Sequence, residues 1–261
     1  MVAEVLRHKK RNTHERNDCD MSKLTRRDML RSGAAAGSAA VVSWLTPRRA
    51  LAETGSLLPP PVTPGQFSYF TQAEITFVDA AVARLIPADE LGPGAKEAGV
   101  TFFIDQQMAG PFGRAETWYM QGPWKQGTPQ QGYQLKLTPA QLYRVGIKDA
   151  DDYCRRSLGN KTFAELAAPD QDKLLTGLEK GDIKLAGAPA KEFFDMLWQN
   201  TNEGFFADPM YGGNRNFAGW KLVGFPGPRY NYVSDIEQYG KPYTQPTVGL
   251  TGRSGIPVRK G

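Results

Sequence analysis

The chain has 261 residues, with 32 Lys and Arg against 27 Asp and Glu, a formal net charge of +5. The excess belongs to residues 1–52, which hold 11 of the positive and 5 of the negative side chains and both histidines, His8 and His14; residues 53–261 carry 21 against 22 and a single cysteine, Cys154. The longer part therefore offers no cationic surface for nucleic acid, no histidine for a hydrolytic triad or a metal site, and no way to attach a c-type haem or an iron–sulfur cluster.

In chain order, the first element is a signal. Thr25, Arg26, Arg27, Asp28, Met29, Leu30 and Arg31 follow the twin-arginine pattern of a polar residue, two arginines, a spacer, two apolar residues and a basic one. The run from Gly33 to Leu45 is rich in Ala, Gly and Ser, too short and mild to span a bilayer, and Ala50-Leu51-Ala52 supplies an A-x-A cleavage site. Arg48 and Arg49 just before it disfavour export of an unfolded chain. The expectation is export in the folded state by the twin-arginine (Tat) route to the periplasm. Met21 opens a well-formed signal on its own and is the expected translation start, which intact mass of the precursor would test.

Residues 53–67, ETGSLLPPPVTPGQF, read as a proline-rich, extended lead-in. A helical domain is expected over 68–206. Thr71 and Glu74 form a capping box, and Ile75, Val78, Val82 and Leu85 recur at helical spacing up to Pro87. A second helix is expected from about Ala95 to Ala109, with Val100, Phe103, Ile104 and Gln107 on one face. Residues 110–137 form a loop too long for a simple connector. Its large aromatics, Trp118, Tyr119, Trp124 and Tyr133, stand among Gly, Pro and Gln, a composition suited to the centre of a protein contact, or else to a loop folded back on its own core.

Thr138, Pro139 and Gln141 start the third helix, on which Leu142, Tyr143, Gly146, Ile147, Ala150 and Cys154 share a face, so that Cys154 reads as core. Pro169 and Pro189 open two more, the first ending near Gly181 and the second carrying Phe193, Phe194, Leu197, Trp198 and Phe205. The expected fold is all-α: an irregular bundle of about five helices with long aromatic, glycine-rich loops. Residues 207–261 hold ten glycines, six prolines and five tyrosines, with a short helix possible over Phe217–Val223, and read as an extended C-terminal arm. Such an arm either wraps its own bundle or embraces another subunit.

The block from Asn200 to Asn214 mixes carboxylates, amides and aromatics. Three readings are open: helix termination with partner docking, a small-molecule or glycan pocket, and a carboxylate pair, Glu203 and Asp208, working as in glycoside hydrolysis. In the first, Gly212 and Gly213 make a tight turn whose backbone groups Asn200 and Asn214 satisfy. There is no dinucleotide fingerprint and no phosphate loop. Residues 53–261 are expected to hold no catalytic, metal or cofactor site of their own.

Three stretches carry a resemblance: LIPADELGPGAKEAGVTFFIDQQMAG (85–110), WYMQGPWKQGTPQQGYQLKLTP (118–139) and FFDMLWQNTNEGFFADPMYGGNRNFAGWKLVGFPGPRY (193–230). They resemble the gluconate 2-dehydrogenase subunit 3 family, the small (gamma) subunits of membrane-bound gluconate 2-dehydrogenase and of related fructose and other sugar dehydrogenases. The resemblance implies a large FAD-dependent flavoprotein of the glucose-methanol-choline (GMC) type and a multihaem cytochrome c subunit that passes electrons to membrane quinone. It also implies association with the inner membrane through the complex, and a small subunit without catalytic residues that carries the twin-arginine signal and escorts the folded flavoprotein through the Tat translocase. The residues expected at the partner interface are Trp118, Tyr119, Trp124, Tyr133, Phe205, Phe206, Tyr211, Asn214 and Trp220. The class-distinct alternative is a free-standing periplasmic protein that binds a carbohydrate or other small molecule through residues 200–230.

Overall fold

In the computed structural model, the described residues are 66–251, Gln126 excepted. The predicted signal residues Arg26, Arg27, Ala50 and Ala52, most of the lead-in and the last ten residues lie outside them. Within that span there are six α-helices and no strand: α1 Gln72–Leu85, α2 Val100–Ala109, α3 Pro139–Ser157, α4 Ala168–Lys180, α5 Ala190–Phe206 and α6 Ala218–Leu222. The all-α bundle expected from the sequence is the observed fold.

Helix α1 begins where the capping box predicts. The Thr71 amide donates to Glu74 Oε2 at 2.8 Å and the Glu74 amide returns a bond to Thr71 Oγ1 at 3.4 Å. Val78 and Val82 are fully buried; Phe77 and Ala81 join them, so the apolar face is wider than the expected column. Helix α2 starts at Val100 rather than Ala95, because Gly99 takes the left-handed conformation (φ +78°) and residues 95–99 form turns. A side chain at Gly99 would overlap the Arg215 guanidinium, whose backbone N–H donates to Ala98 O at 2.9 Å. Helix α2 is buried almost all round over Val100–Asp105, so its apolar residues show little periodicity.

Helix α3 has the predicted Thr138–Gln141 box with Pro139 in its first turn, and α4 stops at Gly181 (φ +71°). Pro189, expected as the first helical residue of α5, is instead its N-cap, and the helix starts at Ala190. Helix α5 touches each of the other five and is the hub of the bundle. Its Phe193 lies against Gly146 of α3, where a methyl group would overlap the ring. Phe193 also joins an aromatic chain running Phe163–Phe77–Phe193–Tyr143–Phe70, with centroids 4.8–6.3 Å apart. Trp198, unlike Phe193, Phe194, Leu197 and Phe205 of the same helix, is exposed.

Irregular segments are tied to the helices by buried carboxylates. Asp105, fully buried on α2, accepts backbone N–H bonds from Ser68, Tyr69 and Phe70 at 2.6, 2.9 and 2.7 Å, which fixes the entry into the bundle. Asp149 on α3 accepts from Gly187 and Ala188, ahead of α5, at 2.5 and 3.2 Å. Asp208 accepts from Met210 at 3.0 Å and from Leu250 at 2.8 Å, which fastens the far end of the chain to the end of α5. A carboxylate takes several donors at once, as these crowded backbone turns require.

Candidate functional site

The segment after α5 packs on the bundle up to α6, as in the reading in which these residues wrap their own core. Gly213 packs directly on the Gly204 carbonyl and Gly219 on the Phe205 carbonyl, approaches that any side chain would block. Asn214, fully buried, donates to Ala207 O and accepts from the Gly219 N–H, both at 2.8 Å, and the Trp220 indole N–H donates to Phe206 O at 2.7 Å. Met210, Phe217 and Trp220 are buried beneath. The polypeptide leaves the body at Gly227, travels out, and returns where the Val248 N–H meets Pro226 O at 3.2 Å. Arg229 clamps this loop from within, donating to Tyr243 Oη at 3.0 Å and to Pro246 O at 2.5 Å.

Three of the residues expected at a partner interface are spent internally: Phe205 and Trp220 are buried by the chain itself, and Asn214 braces the turn after α5. Phe206 and Tyr211 are exposed beside them. On the α2–α3 loop, Trp118 and Tyr133 are half-buried against the core, with Trp118 packed between Phe112 (5.5 Å) and Tyr133 (5.0 Å). Burial raises the Tyr133 hydroxyl well above its ordinary range, and its proton is held by Leu137 O at 2.6 Å. Tyr119 and Trp124 stand free, Tyr119 with 81% of its surface exposed. The loop folds back on the core through Trp118 and Tyr133 and leaves Tyr119 and Trp124 exposed.

The named interface residues leave out most of the exposed apolar side chains. Of sixteen large apolar side chains exposed among the described residues, ten fall between 222 and 250, with Tyr230 and Tyr239 almost wholly in solvent. These residues are spaced without helical or strand period, so only the tyrosine count hinted at them.

Both carboxylates of the 200–214 block, Glu203 and Asp208, are engaged in hydrogen bonds. Asp208 is occupied by two backbone amides, while Glu203 is exposed and accepts from the Gln199 and Asn200 side-chain amides at 2.8 and 3.1 Å. Asn200 serves Tyr143 and Glu203, not the Gly212–Gly213 turn as expected; the Tyr143 hydroxyl donates to its Oδ1 at 3.1 Å. Cys154 is fully buried, and burial, with the Asp151 carboxylate nearby, pushes its thiol up to about 12, which makes it inert. Among the described residues no group of three or more His, Cys, Asp or Glu is placed to hold a metal ion, and no helix is long and apolar enough to cross a membrane.

A family model described as gluconate 2-dehydrogenase subunit 3 matches residues 72–227, from the start of α1 to the residue at which the outer loop departs. No curated protein and no solved structure matches the chain. With more than half its length matched, the chain belongs to the gluconate 2-dehydrogenase subunit 3 family and is a subunit of a dehydrogenase complex.

Proposed function

We propose that this chain is the noncatalytic small subunit of a membrane-associated, FAD-dependent sugar or sugar-acid dehydrogenase, stabilising the folded GMC-type flavoprotein and carrying it through the Tat route to the periplasm. There a multihaem cytochrome c subunit completes the complex. The carrying observation is the family match over residues 72–227, joined to the twin-arginine pattern around Arg26 and Arg27. A folded-export signal is needed for a cargo whose cofactor is inserted in the cytoplasm, and the flavoprotein is such a cargo.

The docking face in this reading is C-terminal: Phe206, Tyr211 and the exposed tyrosines of the 227–248 loop. Large, rigid aromatics that a monomer leaves in water are the residues that dominate binding when a partner covers them. The pinched base of the loop and its Arg229 clamp limit the ordering cost of docking.

The test is co-expression with the neighbouring genes and purification from the periplasm through a tag on this chain, followed by flavin absorbance and intact masses. A stoichiometric flavoprotein, lost from the periplasm in the Arg26→Lys/Arg27→Lys double variant, is the expected result. A colourless chain purified alone would overturn the proposal.

A further inference from the structure

The α2–α3 loop encloses a cleft of about 550 Å³, within the size range of small-ligand sites. Trp118, Trp124 and Tyr133 are among its lining residues, together with Gln121, Gln131 and Gln134 and with Lys125 as its one charged group. Two of the rings are held in place by the chain itself. Trp118 is held between Phe112 and Tyr133, and Tyr133 is tied to Leu137 O. The Trp124 indole lies over Gly122, where an added methyl would already stand 3.4 Å from its Cδ1.

The amides are partly committed. Gln131 Oε1 accepts from the Thr128 N–H at 2.7 Å, and Gln134 Nε2 donates to Gln131 O at 3.0 Å. Beyond these bonds Gln131 Nε2 can still donate and Gln134 Oε1 can still accept, and both residues line the cleft. The lining combines aromatic rings with neutral amides and has no carboxylate, a composition that favours a neutral ligand with both an apolar face and hydroxyls.

We infer that this cleft binds a cyclic saccharide. The axial C–H groups of a pyranose carry partial positive charge and lie flat on the negative face of an aromatic ring. Its hydroxyls, each both donor and acceptor, match the free groups of Gln131 and Gln134. An open-chain polyol offers the same hydroxyls without the flat face, so the cleft discriminates ring from chain. It shares no residue with the C-terminal docking face, and the inference goes beyond the proposed function without resting on it.

The test is saturation-transfer NMR on the full chain, with tryptophan fluorescence alongside, using cellobiose and maltose as probes and mannitol, D-gluconate and a proline decamer as comparators. Saturable transfer to the ring C–H protons of a disaccharide is expected, with a Kd on the order of 1–10 mM for so open a site. Trp124→Ala, which alters a partly exposed side chain, should weaken that binding at least about tenfold while the far-ultraviolet circular dichroism and the urea midpoint stay unchanged. Absence of saturable transfer to either disaccharide, equal binding of mannitol, or unchanged affinity in Trp124→Ala would each overturn the assignment. Binding of the decamer without the disaccharides would overturn it too, because aromatic-lined grooves also take polyproline helices.

Discussion

Asp105→Ala tests whether a buried carboxylate holds the entry of the chain onto the bundle. Three backbone N–H groups lose their acceptor: that of Phe70 is buried, that of Tyr69 half-buried and that of Ser68 near solvent. An orphaned buried donor costs about 1–3 kcal/mol, and water rescues an exposed one. Taking roughly 2 kcal/mol for Phe70, about 1 for Tyr69 and nothing for Ser68 gives a loss of about 3 kcal/mol. With a urea slope of about 2 kcal/mol/M, the midpoint should fall by roughly 1.5 M at unchanged slope. Asp105→Asn keeps one acceptor oxygen but turns an NH₂ toward a donor, so it should lie between. Urea unfolding followed by circular dichroism gives the magnitude, and hydrogen exchange at Phe70 gives the location. A midpoint shift below about 0.3 M, or unchanged exchange at Phe70, would refute the reasoning.

Gly213→Ala forces a methyl into the Gly204 carbonyl, so it should cost about 1–3 kcal/mol and lift the segment carrying Trp220 off α5, seen as a red shift in tryptophan emission; unaltered emission and stability would count against that packing. Cys154 should resist maleimide at pH 8 in the folded chain and react fully in urea, measured by mass on the peptide that contains it. Because folding raises its thiol to about 12, this group's contribution to stability is present below the unfolded value, near 8.5, and is lost as pH rises through that interval. Arg84 and Asp172 form a two-bond ion pair, at 2.7 Å each, on a partly exposed surface, so Arg84→Ala should cost less than about 1 kcal/mol. The bond to Arg84 lowers the Asp172 carboxyl, so the stability it adds is present above the unfolded value and fades as pH falls below about 4; a cost unchanged at pH 3 would contradict that sign.

Much of the fold was legible in the sequence because it rests on local rules. The Thr71–Glu74 and Thr138–Gln141 boxes and the glycine stop at Gly181 decide helix ends within a few residues and show as motifs. What escaped was decided by distant partners. The start of α2 depends on Arg215 lying over Gly99, more than a hundred positions away, and the burial of 207–222 depends on two glycines facing two carbonyls of α5. Composition there reads as an arm, because Gly, Pro and Tyr signal irregular backbone without saying whether it is covered. The interface residues divide for the same reason. Phe206 and Tyr211 keep their surface while Phe205, Asn214 and Trp220 lose theirs, and no spacing rule separates adjacent phenylalanines at a helix end.

The 227–248 loop gives the sharpest separation of folding from docking. Its ends meet at one backbone hydrogen bond, its clamp is internal, and its tip residues lie in water, so replacing residues 228–247 with a short glycine-serine turn removes little that the bundle uses. Closing about three residues instead of twenty also lowers the loop-closure cost by about 1–2 kcal/mol, so the variant should fold with undiminished stability. Asp208 still receives the Leu250 N–H, which holds the tail in place. The family match ends at Gly227, so the excised loop lies outside the span shared with the family. If the loop supplies the docking tyrosines, the variant should lose the flavoprotein on co-purification while keeping its own midpoint in urea. Retention of the flavoprotein at full stoichiometry would move docking to the face the family shares, leaving Phe206 and Tyr211 to carry it; loss of both partner and stability would show that the loop belongs to the fold.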